Sequence, residues 1–357
     1  MGGTPRTEGF RWPAEWEPHR ATWLAWPHNQ ETWPGPLEGV VESFVEMAGA
    51  LHEREQVCIT VLDAAMEEVA RRRLSQAGIE TGLEFHRFPT NDAWIRDHGP
   101  VFVRSANEVA VVDFRFDSWG RKYPPWDLDD RIPRAIAAAR KMRRFEVELV
   151  LEGGSVDGNG LGSVLTTESC LLNPNRGAFR SREMLEQVLH DTLGATHVLW
   201  LSGGIEGDDT DGHVDDVCRF VDPGTVVAVE ESDPRDPNRA PLTENLRRLR
   251  RMRDQDGKPL AVATLPMPPP LRIAGLRCPA SYANFYLANG VALVPVFDAP
   301  SDARALAALR ELLGDREVIP IPARDLVVGL GAVHCLTQQE PAAGSALGSR
   351  LIARGLS

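Results

Sequence analysis

Six carboxylates and one histidine fall within the eleven residues from Glu206 to Asp216 (EGDDTDGHVDD). Apolar runs flank the segment, THVLWL at 196–201 and VCRFV at 217–221. An acidic loop held between two buried strands lies at a strand end, where a rigid scaffold positions chemistry. So much negative charge in such a place suits either a metal ion or an organic cation.

The metal patterns fit poorly. In a calcium loop, Asp209, Asp211 and Gly212 would take positions three, five and six, but Gly207 falls at position one and Cys218 at position twelve, where a bidentate Glu is needed. His213 and Asp215 could join a two-metal hydrolase site. However, no H-x-H, H-E-x-x-H or second histidine pair accompanies them. The glycines of 158–162 (GNGLG) lack the spacing and the following helix of a phosphate loop and read as a hairpin turn.

A cysteine nucleophile is the other chemistry within reach. Cys335 follows the glycine-rich run 329–334 (GLGAVH), read as the end of an apolar strand, where glycines let a ligand approach. A thiolate needs a histidine or a cation to activate it. His213 is the candidate, because His334 would point the other way on a strand. Cys58, Cys170 and Cys218 sit inside apolar runs and read as packing, and Cys278 has no assigned role. Asp97 and Asp215 are then fixed carboxylates with no metal motif beside them. A planar guanidinium matches carboxylates through its fork of N–H donors. Two aspartates can present its central carbon to sulfur, and a histidine can serve first as acid and then as base.

The elements that must position these residues alternate along the chain. Helices are expected at 36–55, 64–77, 127–142, 181–193, 242–253 and 302–313, from apolar spacing, a Ser181 N-cap and glycine C-caps at 78, 194 and 314. Strands are expected at 21–27, 56–62, 83–88, 101–104, 109–114, 146–151, 163–167, 170–172, 196–201, 217–221, 226–230, 261–265, 282–287, 291–296, 318–321 and 326–328. Strand–strand–helix–strand units recur without a sequence repeat, so the expectation is one closed α/β domain over 1–345 followed by a tail, 346–357. The tryptophans of the first 36 residues read as packing, with room for one to wall a pocket.

The chain has 357 residues, a net charge of −12 and five cysteines without C-x-x-C spacing. The charge argues against a nucleic-acid partner and suits a cationic substrate. The odd cysteine count argues against a disulfide framework. No apolar run approaches membrane-spanning length, and the N-terminus MGGTPRTEGF lacks an apolar signal core. The chain reads as cytoplasmic, with no membrane partner.

Seven segments carry a family resemblance: PAEWEPHRATWLAWP (13–27), NDAWIRDHGPVFV (91–103), LEGGSVDGNG (151–160), LLNPNRG (171–177), GDDTDGHVDD (207–216), ASYANFYLANG (280–290) and HCLTQQEP (334–341). In that order they make the chain resemble the agmatine deiminases of the guanidine-modifying superfamily, which also holds bacterial-type peptidylarginine deiminases. The resemblance implies a five-bladed α/β propeller (pentein), five ββαβ units around a pseudo-fivefold axis. It implies Cys335 as nucleophile, His213 as general acid and base, Glu152 orienting that histidine, and Asp97 and Asp215 clamping the guanidinium. No cofactor and no metal are implied. A homodimer or higher homo-oligomer and a place in putrescine biosynthesis are.

The family commonly has N-D-E-T-N-G-H where this chain has GDDTDGH (207–213), so Asp209 replaces Glu and Asp211 replaces Asn. These two are the candidates for receiving the far end of the substrate, unless they and Asp208 only shape the turn. His98 is a further departure. The implied reaction converts agmatine and water to N-carbamoylputrescine and ammonia, with Trp94 against the butyl chain. Two alternatives stand beside it. One is a deiminase for free or peptidyl arginine, with Arg96 as the candidate for an α-carboxylate. The other is a polyamine-binding protein without activity.

Overall fold

In the computed structural model the described residues are 3–35, 37–177, 180–273 and 275–344. The expected tail, 346–357, lies outside them. The fold is mixed α/β. Among the described residues, five sheets of three or four strands recur in chain order, with one two-stranded hairpin, Arg272–Ile273 with Leu276–Arg277.

Four of the sheets share one plan: an antiparallel pair, a crossover helix, and a third strand parallel to the second. Val101–Arg104, Val109–Arg115 and Arg143–Val150 form one such sheet, with Ile132–Arg140 as its helix. The next joins Val156–Gly158, Ser163–Thr167 and His197–Leu201 through Arg182–Leu193. Cys218–Asp222, Thr225–Glu230 and Ala261–Pro266 follow, with Arg239–Leu249. Tyr286–Ala288, Val291–Val296 and Glu317–Pro322 use Asp302–Leu313. The remaining sheet is built from both ends of the chain. The late strand Gln338–Pro341 pairs antiparallel with His19–Ala25, which runs parallel to Gln56–Thr60 across the helix Glu38–Leu51, and Leu83–His86 closes the edge after Ala64–Gln76. This pairing brings the segments around residues 15 and 335 together.

Local chemistry explains the element ends. The Ser181 hydroxyl accepts the Met184 N–H at the start of its helix, and Gly194 takes the left-handed conformation at the end. Three expected strands are turns or helices instead. The apolar triplet at 170–172 belongs to the short helix Glu168–Leu171, because the Thr167 hydroxyl caps it by accepting the Cys170 N–H. Leu326–Gly329 is a 3-10 helix. Residues before Cys335 do not end a strand: His334–Leu336 is a 3-10 turn, so alternation of side chains does not apply there. The early tryptophans pack as expected, with Trp23 fully buried and the Trp33 ring tilted against Trp94 at 5.2 Å between centroids. Among the described residues, no helix is long and apolar enough to cross a membrane.

Candidate active site

Turns at the ends of strands converge on a cavity of about 950 Å³. Trp94, Asp97, Asp209 and Cys335, all expected site residues, line it. Glu152, His213 and Asp215 lie in the layer just behind. A β-carbon placed on Gly154 would meet His213 Nδ1 at 2.6 Å, Asp97 Oδ1 at 2.8 Å and Asp215 Oδ2 at 3.0 Å. Only a glycine lets these three groups surround one point. Gly331 serves the Cys335 side in the same way: a β-carbon there would lie 2.5 Å from the Trp94 ring and 3.2 Å from Cys335 Cβ.

Asp97 sits in the short helix Ile95–His98. Its Oδ1 accepts the Gly154 N–H at 2.9 Å and its Oδ2 accepts the Trp119 indole N–H at 2.9 Å. Burial pushes its carboxyl up to about 6, against the pull of His213. Asp215 Oδ2 accepts from His334 Nδ1 at 2.6 Å, while Oδ1 is buried without a partner among the described residues. Burial raises the Asp215 carboxyl, yet the His334 hydrogen bond and charge win and hold it below its ordinary value.

The imidazole of His213 is buried, with Nδ1 3.7 Å from Asp97 Oδ1, and neither ring nitrogen has a hydrogen-bond partner among the described residues. Burial opposes its charge, but Asp97 leads a group of neighbours that lift its proton affinity well above the ordinary range. Cys335 is 7% exposed. Its sulfur accepts the Asn284 side-chain N–H at 3.1 Å and lies 3.8 Å from Asp215 Oδ2. Burial, then Asp215, Asp216 and Asp97, push its thiol well above the ordinary value. These surroundings oppose a thiolate.

Several expected site residues have other partners in the structure. No hydrogen bond joins Glu152 to His213. Glu152 Oε1 instead accepts from Arg176 Nε at 2.9 Å, and Oε2 has no partner among the described residues. Asp211 does not line the cavity; Arg176, Asn175 at 2.8 Å and Lys122 at 3.0 Å hold it. Asp209 does line it, and accepts from the Tyr123 hydroxyl. Asp208 shapes the turn, accepting from Thr210 and from the His213 backbone at 3.1 Å. Arg96 is buried on Glu15, Gln339 and the His334 carbonyl, away from the cavity. His98 is buried too, and burial depresses its imidazole to about 3. Its ring is edge-on to Phe116.

Asn284, His334, Glu15, Asp216 and Trp119 were not marked as site residues by sequence reasoning. Asn284, Glu15, His334 and Asp216 lie inside segments that carry the resemblance, so position in those segments is the available signal. Nothing around Trp119 pointed to the site.

Among the described residues two clusters offer three ligand atoms within 4.8 Å of one another. Glu152, Cys170 and His213 are one, and their mixed donors suit a borderline-soft ion. Cys58, Glu84 and His86 are the other, where Arg140 Nη2 stands 2.8 Å from the Cys58 sulfur as a fixed competing cation.

Residues 11–341 match the family described as Porphyromonas-type peptidyl-arginine deiminase. An agmatine deiminase of Ectopseudomonas mendocina is 38% identical over 363 residues, covering 95% of this chain and 97% of that protein. The solved agmatine deiminase of Enterococcus faecalis superposes with a TM-score of 0.90 at 33% identity, over 96% of this chain and 98% of that one. A cysteine-to-serine agmatine deiminase of C. jejuni with substrate bound gives 0.85 at 28% identity, over 94% and 97%.

Proposed function

The chain belongs to the Porphyromonas-type peptidyl-arginine deiminase family, and on that premise we propose that it is an agmatine deiminase, converting agmatine and water to N-carbamoylputrescine and ammonia. The observation that carries the reading is the convergence of Asp97, His213 and Asp215 around Gly154, beside Cys335 on the cavity wall. We read the recurring sheets as five ββαβ blades around a pseudo-fivefold axis, within one domain.

In this reading Asp97 and Asp215 take the guanidinium N–H groups. The arriving cation offsets the carboxylates that oppose a thiolate at Cys335, so the thiol can lose its proton to solvent while Asp97 and Asp215 stay ionised, and the sulfur attacks the central carbon. His213, whose charged form is favoured by Asp97 and its other neighbours, passes a proton to one nitrogen, which leaves as ammonia. The thiouronium adduct remains on sulfur. Neutral His213 then takes one proton from the attacking water, and as the C–S bond breaks the remaining hydroxyl proton passes to the departing sulfur, which restores the thiol and releases the ureido product. Glu152, set by Arg176, presents a free oxygen near His213 and steadies its charged form.

Arginine as substrate would bring an α-carboxylate. Arg96, the expected partner for it, is committed to Glu15 and Gln339, and Lys122 to Asp209 and Asp211. A colorimetric ureido assay on agmatine, arginine and a blocked arginine peptide tests the proposal. Agmatine turnover with Cys335→Ser inactive is expected. Turnover of the peptide but not agmatine would overturn it.

A further inference from the structure

Resting on the deiminase reading above, we propose that His334 is a positioning residue that bridges Glu15 and Asp215 and holds Asp215 as an aimed, ionised clamp for the substrate guanidinium.

The geometry is a buried chain of three groups. His334 Nδ1 lies 2.6 Å from Asp215 Oδ2, and Nε2 lies 2.8 Å from Glu15 Oε2. All three side chains are buried. A carboxylate only accepts, and a neutral imidazole donates from one nitrogen alone. Two such contacts therefore call for a proton on each nitrogen, and both hydrogen bonds are charge-assisted.

Glu15 is itself fixed. Arg219 Nη2 pairs with its Oε1 at 2.8 Å, the Leu287 N–H donates to Oε1 at 2.8 Å, and Arg96 Nη2 reaches Oε2 at 3.3 Å. Arg96 Nε also donates to the His334 carbonyl at 3.3 Å. The ring is thus anchored from its far side by the N-terminal segment, through the sheet that joins the two ends of the chain.

Occupying Asp215 Oδ2 leaves the buried Oδ1 as the oxygen open to a guanidinium N–H. Charge matters as much as aim. Asp215 faces Asp97, Asp216, His213, Cys335 and, further off, Arg219. Of the three aspartates, burial leaves Asp97 raised and Asp216 raised well above its ordinary value, whereas Asp215 is held low. Remove the imidazolium, and burial with two acidic neighbours drives Asp215 toward its neutral form, which accepts a cation poorly.

The test is agmatine binding by calorimetry to Cys335→Ser protein at pH 6 and pH 9, with and without His334→Gln. Glutamine cannot donate to both carboxylates from opposite ends. The added substitution should weaken binding about 10- to 100-fold at pH 6, the worth of a hydrogen bond to a charged group. The loss should shrink to a few-fold at pH 9, where Asp215 ionises again. The comparison at each pH is against the Cys335→Ser background, so titration of Asp97 and His213 cancels. Glu15→Gln, which removes the far anchor, should give a smaller loss with the same pH trend, and it stands as the test should His334→Gln not fold. No loss, or the same loss at both pH values, overturns the role of His334 alone. Failure of the Cys335→Ser protein to bind any guanidine overturns the deiminase reading and the clamp with it.

Discussion

The side-chain amide of Asn284 donates to the sulfur of Cys335 at 3.1 Å. The same nitrogen reaches Asp216 Oδ1 at 2.9 Å, and its oxygen accepts the His334 N–H at 2.9 Å. Asn284 is therefore a neutral donor set among acids that otherwise oppose a thiolate. Asn284→Asp replaces it with another carboxylate against the sulfur. We expect kcat/KM to fall on the order of 100-fold, the size of losing one preorganised donor at a reacting centre. Alkylation of Cys335 by iodoacetamide at pH 8 should slow in parallel. Unchanged alkylation would mean that the amide does not act on the sulfur.

Gly154 offers a sharper steric test. Gly154→Ala adds one carbon where His213, Asp97 and Asp215 crowd within 3.0 Å of its position. One of the three must move, and a shift near 1 Å at a reacting centre costs about 100-fold in rate. Gly224→Ala is the control, because the atom nearest its β-carbon would be 4.0 Å away. We expect the first to lose activity while keeping its circular dichroism spectrum, and the second to match the parent in both.

Asp97 sets stability against function. Its carboxyl is pushed from 3.8 to about 6 by burial first, with Asp215 adding to the push. A raised folded value means that the folded state binds this proton more tightly than the unfolded chain. The favourable contribution is present at low pH and is lost as pH rises through about 6. The difference amounts to about 3 kcal/mol at most. Asp97→Asn removes the buried charge. At pH 8 we expect it to melt a few degrees at or above the parent, with the advantage fading between pH 6 and 4, while activity is abolished. Melting below the parent at pH 8 would mean that the Gly154 and Trp119 hydrogen bonds outweigh the buried charge.

Element positions were largely legible because periodicity and caps are local: Asp302–Leu313 falls at the expected residues and Arg182–Leu193 within one of them. The misses share a cause. An apolar triplet such as 170–172 has no period long enough to decide its type, and a single capping hydroxyl, Thr167, decides it. In the site, types and spacing raised Cys335, His213, Asp97 and Asp215, and the family motifs supplied roles. The contact of His334 with Asp215 spans 119 residues, and that with Glu15 spans 319. Neither can be read locally. Reading 329–334 as a strand end aimed His334 away from the very carboxylate it holds.

The two acids that depart from the family pattern separate by their surroundings. Asp209 lines the cavity with its carboxylate on Tyr123, whereas Asp211 is gripped by Arg176, Asn175 and Lys122. Asp209→Asn should raise the KM for agmatine about 10-fold or more, the value of a charge-assisted contact to its amine. It should leave kcat/KM for butylguanidine, which lacks that amine, nearly unchanged. Asp211→Asn should do the reverse: a KM within about threefold, and a lower melting temperature. Arg176 is 2% exposed and would lose one of two carboxylates, and an unpaired buried charge is costly. Because Arg176 also sets Glu152, kcat for both substrates should drop together in that variant. If Asp211→Asn instead penalises agmatine but spares butylguanidine, then Asp211 is the acid that receives the distal amine.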